Sequence, residues 1–115
     1  NYKTGIKHIY FRLDADRHQA SVAIELKHPD PGIQKLQFEQ FLSLRKILEG
    51  ETAEIWTWEH GVTDEHGQLY CRIFTKLEKV NVLRTEDWPA IISFFKPRIV
   101  ALDNFWNLVK DGFSN

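Results

Sequence analysis

Two regions in which apolar and polar residues strictly alternate constrain this chain most, because period-two alternation is the pattern of a half-buried β-strand. The first pair of alternating segments spans 6–13 and 20–28, joined by a polar turn. The second pair spans 54–60 and 68–77, again joined by a turn. Apolar residues at helical spacing follow each pair. The sequence therefore predicts the element order ββα, repeated once.

The register of each hairpin follows from the requirement that the apolar faces of paired strands coincide. For the first hairpin, the predicted pairs are Leu13 with Ala20, Phe11 with Val22 and Ile9 with Ile24. For the second hairpin, a turn centred on Glu65 and His66 predicts pairs of Trp58 with Ile73 and Glu59 with Arg72. Each register places large apolar side chains on one face and polar side chains on the other.

Two amphipathic helices complete the units. The first is predicted to begin at Asp30, a good N-cap, with Pro31 as its first helical residue, and to end at Gly50. Its apolar stripe contains Ile33, Leu36, Phe41, Leu44 and Leu48. The second helix is predicted to start after Thr85, and its long apolar stripe contains Pro97. A proline removes one backbone hydrogen bond, so we expect a kink at Pro97.

These elements predict an α+β fold, a two-layer sandwich with an antiparallel four-stranded sheet in ββαββα order and the helices on one face. The length of 115 residues fits one domain over 1–115, and the lack of methionine indicates a further segment before Asn1. No apolar run approaches the about 20 residues that span a bilayer, so we expect no membrane partner. The single cysteine excludes an intrachain disulfide and favours a cytoplasmic setting.

The polar face of the predicted sheet is the candidate binding site. Its tyrosines offer stacking platforms, and its basic residues offer phosphate contacts. The candidate residues are His8, Tyr10, Arg12, Glu25, Lys27, Tyr70 and Arg72. Cross-strand pairing of Glu25 with His8 and of Glu59 with Arg72 is the simpler interpretation of this pattern. A net charge of −1 gives no basic excess, so the charge of the chain does not support nucleic acid as a partner. Nucleic acid is kept as the alternative partner.

Acidic residues near Lys27 resemble the pattern of a metal-dependent nuclease, in which carboxylates hold Mg²⁺ and a lysine stabilises developing charge. The predicted register places Asp14 and Asp16 at the hairpin tip, roughly 10–13 Å from Glu25, which is too far for one metal. The spacing Asp14-x-Asp16-x-His18 lacks the glycine and distal glutamate of a calcium loop and is typical of a turn. We therefore predict no metal site.

The predicted register of the second hairpin brings His60 opposite Cys71 on the inner face. Two ligands do not make a zinc site, and a Cys–His nucleophile pair needs an orienting third group. A buried apolar role for Cys71 is the simpler interpretation. The sequence therefore predicts neither catalytic residues nor a cofactor, and an enzyme is the less favoured class.

Three segments resemble an uncharacterised bacterial family, the domain of unknown function numbered 4268. They are residues 1–12 (NYKTGIKHIYFR), 24–30 (IELKHPD) and 88–98 (WPAIISFFKPR), and the resemblance extends over nearly the whole chain. It implies a bacterial domain that stands alone or ends a longer chain, with a short helical segment before Asn1. Some longer members look nuclease-related, but the family implies no catalytic role for any residue.

The aromatic content, with eight Phe, four Trp and three Tyr, exceeds what two helices need to cover. The residues in question are Trp56, Trp88, Phe94, Phe105 and Trp106. Exposed apolar patches mark interfaces, so a homodimer is expected. Our first hypothesis is a non-catalytic interaction or accessory domain that self-associates. The alternative is a nucleic-acid-binding or nuclease-associated module that uses the polar sheet face.

Overall fold

The two hairpins join into one antiparallel sheet with helices packed on one of its faces. The computed structural model describes residues 2–113 of the chain. The strands are β1 (Tyr2–Lys3), β2 (Ile9–Ala15), β3 (Gln19–Leu26), β4 (Thr57–Thr63) and β5 (Leu69–Glu78). The helices are α1 (Pro31–Ser43), α2 (Arg45–Thr52) and α3 (Trp88–Val109). The strand order is β1-β2-β3-β5-β4. The predicted α+β class with four long antiparallel strands is confirmed, and β1 adds a short fifth strand at one edge.

The first hairpin extends two residues further than predicted. The Asp16 carboxylate accepts hydrogen bonds from the backbone N–H groups of His18 (2.7 Å) and Gln19 (2.9 Å), which places the turn there. The observed pairs are Ile9 with Leu26, Phe11 with Ile24, Leu13 with Val22 and Ala15 with Ala20. The predicted pairing of Leu13 with Ala20, and the two pairs predicted with it, are wrong by two residues. Because side chains alternate with a period of two, this shift preserves the predicted faces.

The second hairpin has the predicted pairs at its open end. Trp58 pairs with Ile73 and Glu59 with Arg72. An irregularity follows between Glu59 and Val62, where the register shifts by one residue. Gly61, within this bulge, has a φ of 75°, a conformation that glycine adopts without strain. Beyond the bulge, Val62 pairs with Tyr70 and Thr63 with Leu69, one residue away from the predicted register.

The region predicted as one helix from Asp30 to Gly50 is two helices. The Asp30 carboxylate accepts hydrogen bonds from the backbone N–H groups of Gly32 (2.8 Å) and Ile33 (3.2 Å), so the predicted N-cap is confirmed. The chain leaves helical geometry at Leu44, between α1 and α2. Helix α2 then continues past Gly50 to Thr52, where the predicted stop is wrong by two residues.

Helix α1 buries two glutamines alongside Phe41 of the predicted apolar stripe. Its buried residues are Gln34, Gln37 and Phe41. Ile33 is 41% exposed and Leu36 is 66% exposed. The side-chain amide of Gln34 donates to the carbonyl oxygens of His28 (3.1 Å) and Leu69 (3.0 Å), at the ends of two strands. The helix turns this side inward because those strand-end carbonyls need donors once they are covered.

Pro97 lies inside α3, as predicted, and the helix runs unbroken through it. A 3₁₀ turn over Thr85–Asp87 precedes it, so α3 begins at Trp88, later than predicted. The bend at Pro97 stays a prediction. Directly after the proline, Arg98 donates from Nη1 to the carbonyl of Phe94 at 2.9 Å. This bond does not replace the one that Pro97 cannot make, because the i−4 acceptor of position 97 is the Ser93 carbonyl.

The core lies between the inner sheet face and the helices. Its largest fully buried side chains are Phe41, Phe105, Ile9, Ile24, Leu26, Leu48, Ile73, Val22 and Cys71. Trp106 stacks on Phe41, with ring centroids 6.2 Å apart, and donates from Nε1 to the Thr4 carbonyl at 2.8 Å. Four of the five aromatic residues proposed as excess are buried in this layer. The exception is Trp88, which is 50% exposed.

Replacing the Arg98–Glu54 pair tests how α3 is fixed to the segment before β4. The guanidinium donates to both Glu54 oxygens, at 2.6 and 3.1 Å, and both side chains are less than a quarter exposed. Because the pair is bidentate and partly shielded, a double-mutant cycle of Arg98→Met and Glu54→Gln should give a coupling energy of about 1 kcal/mol. Urea unfolding measures it.

The control is the more exposed pair of Arg45 and Glu49 on α2, at 3.3 Å. An i,i+4 surface pair of this kind contributes about 0.3–0.5 kcal/mol. Coupling no larger for Arg98–Glu54 than for this control would contradict the assigned role.

Candidate binding site on the outer sheet face

The outer sheet face brings three of the seven predicted site residues into one row. Tyr10 on β2 lies opposite Glu25 on β3, and Glu25 lies opposite Arg72 on β5. Glu59 on β4 completes the row, opposite Arg72. The row exists because these positions alternate with the apolar residues that face the helices. It places acidic, basic and aromatic side chains side by side across four strands.

Glu25 lies at the centre of this row and is 3% exposed. Its Oε1 is 3.5 Å from Lys27 Nζ, and its Oε2 is 3.8 Å from Arg12 Nη1. Both distances exceed those of ordinary hydrogen bonds. Within residues 2–113, Oε1 receives no hydrogen bond. Buried polar groups are nearly always hydrogen-bonded, and leaving one unpaired costs about 1–3 kcal/mol. Among residues 2–113, the two long ion pairs with Lys27 and Arg12 are therefore the contacts that offset the burial of this charge.

The cations around Glu25 differ in how firmly they are held. Arg72 donates to Glu59 Oε1 from Nη2 at 2.8 Å and Nε at 3.2 Å, and its guanidinium lies 4.1 Å from the ring centre of Phe74. Lys27 Nζ lies 5.2 Å from the ring centre of Tyr70. Within the described part of the chain, Arg12 makes the long contact to Glu25 alone, and its side chain is 46% exposed. Arg12 is therefore the cation best placed to meet an anionic group.

A cleft of about 210 Å³ opens beside the carboxylate. Its lining residues are Arg12, Asp14, Ser21, Ala23, Glu25, Tyr70 and Arg72. Sequence reasoning missed Asp14, Ser21 and Ala23 as members of the site. Ser21 and Ala23 alternate with the apolar residues of β3, which is the signal that places them on this face. Their small side chains leave room between the longer neighbours.

His8 does not join the site as predicted. Its backbone has a φ of 68°, and its ring packs edge-on against His28 with centroids 4.9 Å apart. The predicted pair of His8 with Glu25 is wrong because the first hairpin is longer than expected, which brings Tyr10 opposite Glu25 instead. The predicted pair of Glu59 with Arg72 is confirmed.

The aspartates of the first hairpin do not assemble with Glu25 around a metal. Asp14 lies opposite Ser21, four residues from Tyr10 along β2, or roughly 13 Å from the level of Glu25. Asp16 closes the turn, and hydrogen bonds from the backbone of His18 and Gln19 hold the pKa of its carboxyl below the usual value. No group of three metal-ligating side chains occurs among residues 2–113.

His60 and Gly61 lie in the bulge between the pairs Glu59–Arg72 and Val62–Tyr70, and therefore opposite Cys71. The bulge at Gly61 leaves His60 exposed, with its ring centroid 5.4 Å from that of Phe38. Cys71 is fully buried, and its Sγ donates to Gln34 Oε1 at 3.5 Å. Burial raises the pKa of the Cys71 thiol, against a lesser lowering by a hydrogen bond with the Gly61 backbone. The register and the ring contact with Phe38 on α1 agree with the predicted inner-face position of His60 opposite Cys71.

The Cys71 thiol is expected to resist modification in the folded protein. Its burial and raised pKa both keep the reactive thiolate scarce. Reaction with Ellman's reagent at pH 8 should be at least about 100-fold slower in buffer than in 6 M guanidinium, because it requires local opening. Comparable rates under both conditions would show that the thiol is accessible, in conflict with the packing.

No helix within residues 2–113 is long and apolar enough to cross a membrane. The family described as "Domain of unknown function (DUF4268)" has a model that matches residues 1–110. No curated protein and no solved structure matches the chain. The family description assigns no activity, so the site geometry carries the functional argument.

Proposed function

This chain belongs to the DUF4268 family, and we propose that it is a non-catalytic recognition domain that binds a nucleic-acid strand on its outer sheet face. The observation that carries the proposal is the pair of half-buried tyrosines on this face, Tyr10 and Tyr70, together with the exposed Arg12 side chain, which lines a cleft of about 210 Å³. A bacterial, cytoplasmic setting and a role beside a nuclease are part of the proposal.

Recognition is favoured over catalysis because the charged groups of this face mostly hold one another. Arg72 is engaged by Glu59, and Glu25 lies between two cations. A general base must lie within hydrogen-bond reach of the group it deprotonates, and a nucleophile needs such a base beside it. In the described part of the outer face, the open features are tyrosine rings and one loosely held arginine. These features bind and orient a ligand.

Nucleic acid is favoured over other polar ligands because the face combines stacking, hydrogen bonding and one cation. Tyr10 and Tyr70 are half-buried on either side of Glu25, and stacking on an aromatic ring contributes about 1–3 kcal/mol per base. Arg12 is exposed beside the cleft and can meet a phosphate. Since acidic and basic groups balance here, stacking supplies more of the affinity than charge does.

Fluorescence anisotropy with a labelled single-stranded octanucleotide tests the proposal. Tyr10→Ala should weaken binding by about 5-fold or more, the lower bound of the stacking energy. The slope of log K against log salt should lie between about −0.7 and −1.4, since about 0.7 is expected for each phosphate neutralised in a single strand. Arg12→Ala should reduce that slope by about 0.7.

Arg45→Ala is the matched control, because Arg45 lies on α2, away from the outer face, and is similarly exposed. It should leave affinity and slope unchanged. Equal effects of the Arg12 and Arg45 substitutions would indicate nonspecific attraction and reject the outer face as the binding site. Absence of binding to any strand would reject the proposed function.

Self-association is a second candidate function, supported by an apolar groove between β2 and α3. The groove has a volume of about 300 Å³ and is lined by Phe11, Leu13, Ile99, Val100, Leu102 and Asp103. Leu13 is 42% exposed and Val100 is 61% exposed. Trp88 and Ile92, further along α3, are each about half exposed. Apolar side chains grouped in this way are typical of an interface.

Sedimentation equilibrium at micromolar concentration tests the second candidate. The wild-type chain should sediment as a dimer, and Val100→Lys should give a monomer because a charge in the groove cannot be buried without a partner. Leu36→Lys is the control, since Leu36 is equally exposed but on α1. A monomeric wild type, or equal dissociation by both substitutions, would reject the groove as the interface.

A further inference from the structure

We infer that a second cleft, at the end of the sheet where β3 stops, binds a phosphomonoester, the group that ends a phosphorylated nucleic-acid strand. This end cleft has a volume of about 520 Å³ and lies between the start of α1 and the β4–β5 hairpin. It shares no lining residue with the smaller outer-face cleft. The strand as the source of that group rests on the proposed function, whereas the phosphate site itself does not.

The end cleft collects groups of one sign of charge. Four of its lining residues can carry a positive charge, and no carboxylate lines it within residues 2–113. The four are Lys27, His28, Lys35 and His60, and each is at least partly exposed to solvent. The chain has 16 acidic residues, so their exclusion from this lining separates the charges locally. A concave surface of one sign concentrates ligands of the opposite sign.

Lys35, on the second turn of α1, is the cation available to an anion. It is exposed and forms no ion pair within the described part of the chain. The Lys27 ammonium, in contrast, lies 3.5 Å from Glu25 Oε1 and 5.2 Å from the centre of the Tyr70 ring. Lys27 therefore forms the border between the end cleft and the outer face. The Lys35 ammonium offers three donors and a full charge to a phosphate.

Two carboxylates near the end cleft are taken by backbone groups. Asp30 accepts from two N–H groups in the first turn of α1, at 2.8 and 3.2 Å. Asp64 accepts from two N–H groups of the β4–β5 turn, at 2.8 and 2.9 Å. Neither aspartate lines the cleft. Because Asp30 occupies the helix start, the positive character of the cleft comes from its side chains.

The two histidines supply further donors from opposite walls. The Asp30 backbone N–H donates to His28 Nδ1 at 3.0 Å, so we assign the neutral ring a proton on Nε2. That nitrogen is a donor without any change of charge. On the hairpin side, His60 is exposed and its ring centroid lies 5.4 Å from that of Phe38. Phosphate oxygens accept hydrogen bonds, so they are complementary to donors on both walls.

The charge of the end cleft matches a terminal phosphate better than an internal one. A phosphomonoester carries about −1.5 to −2 at pH 7, whereas each phosphate within a strand carries one negative charge. The volume lies in the range of roughly 300–1,000 Å³ for small-ligand sites, which leaves room for part of the terminal sugar. Since Lys27 also contacts the Tyr70 ring, a strand stacked on the outer face reaches the cleft with one of its ends.

Fluorescence anisotropy of the 115-residue chain with end-modified strands tests the inference. The probes are oligo-dT octamers labelled on an internal base that carry a 5′-phosphate, a 3′-phosphate or hydroxyls at both ends. One phosphorylated octamer should bind about 10-fold more tightly than the hydroxyl octamer, the effect of one hydrogen bond to a charged group. The other should gain little, because a strand bound in one direction brings only one end to the cleft.

Substitution of Lys35 assigns that gain to the end cleft. Lys35→Ala should reduce the ratio of the two affinities to about 2-fold or less, and Lys35→Arg, which keeps the charge, should retain it. Lys46→Ala is the matched control, because Lys46 is equally an exposed lysine but lies on α2, outside both clefts. It should retain the ratio.

Inorganic phosphate supplies a readout that needs no strand. Titrated against the chain, it should shift the backbone amide resonances of His28, Lys35 and His60 in ¹H–¹⁵N spectra, and Lys35→Ala should abolish these shifts. The ranking of the three octamers by the wild-type chain is informative by itself, so the test does not depend on the folding of a variant. Equal gains from both end phosphates, or equal losses with the Lys35→Ala and Lys46→Ala substitutions, would overturn the inference.

The outcomes separate the phosphate site from the proposed function. If octamers bind through Tyr10 and neither end phosphate tightens binding, the strand-binding function stands and the phosphate site fails. If inorganic phosphate binds in a manner that depends on Lys35 and no octamer binds, the phosphate site stands and the strand is not its source. If no probe binds, both fail.

Discussion

The burial of β3 on both faces is the constraint on which the rest of the structure depends. Its inner side chains, Val22, Ile24 and Leu26, are fully buried under the helices, and Glu25 on its outer face is nearly as buried. A sheet packed on one side normally leaves its other face to water. Here the long side chains of β2 and β5 close over the central strand and enclose its one carboxylate. The candidate site is a consequence of that enclosure.

The same need to satisfy covered polar groups sets the orientation of α1. Packing the apolar stripe of this helix against the sheet would bury Ile33 and Leu36, yet the helix presents Gln34 instead. That amide bonds the carbonyls of His28 and Leu69 and accepts from Cys71. Two strand ends and a helix are thereby joined by one side chain. The displaced apolar residues then lie on the surface, where they cost less than unpaired buried carbonyls would.

The candidate site was largely predictable because face membership survives errors in register. The first hairpin is offset by two residues from its predicted pairing, and two is the period of a strand. Tyr10, Arg12 and Glu25 therefore stayed on the predicted face although their cross-strand neighbours changed. His8 was lost from the site because it lies where β2 has not yet begun and its backbone has a positive φ. The local geometry there follows no alternating pattern.

The sequence by itself determined the element order, the two hairpins, the faces of the strands and the start of α1 at Asp30. These features depend on neighbours close along the chain, where periodicity and capping act. Only the tertiary structure decided that Glu25 is buried, that Gln34 faces inward and that a bulge at Gly61 interrupts the second hairpin. Each of these outcomes depends on groups from distant segments that compete for the same hydrogen bonds and the same space. Local pattern does not encode that competition, which is why the burial of Glu25 could not be foreseen from its strand position.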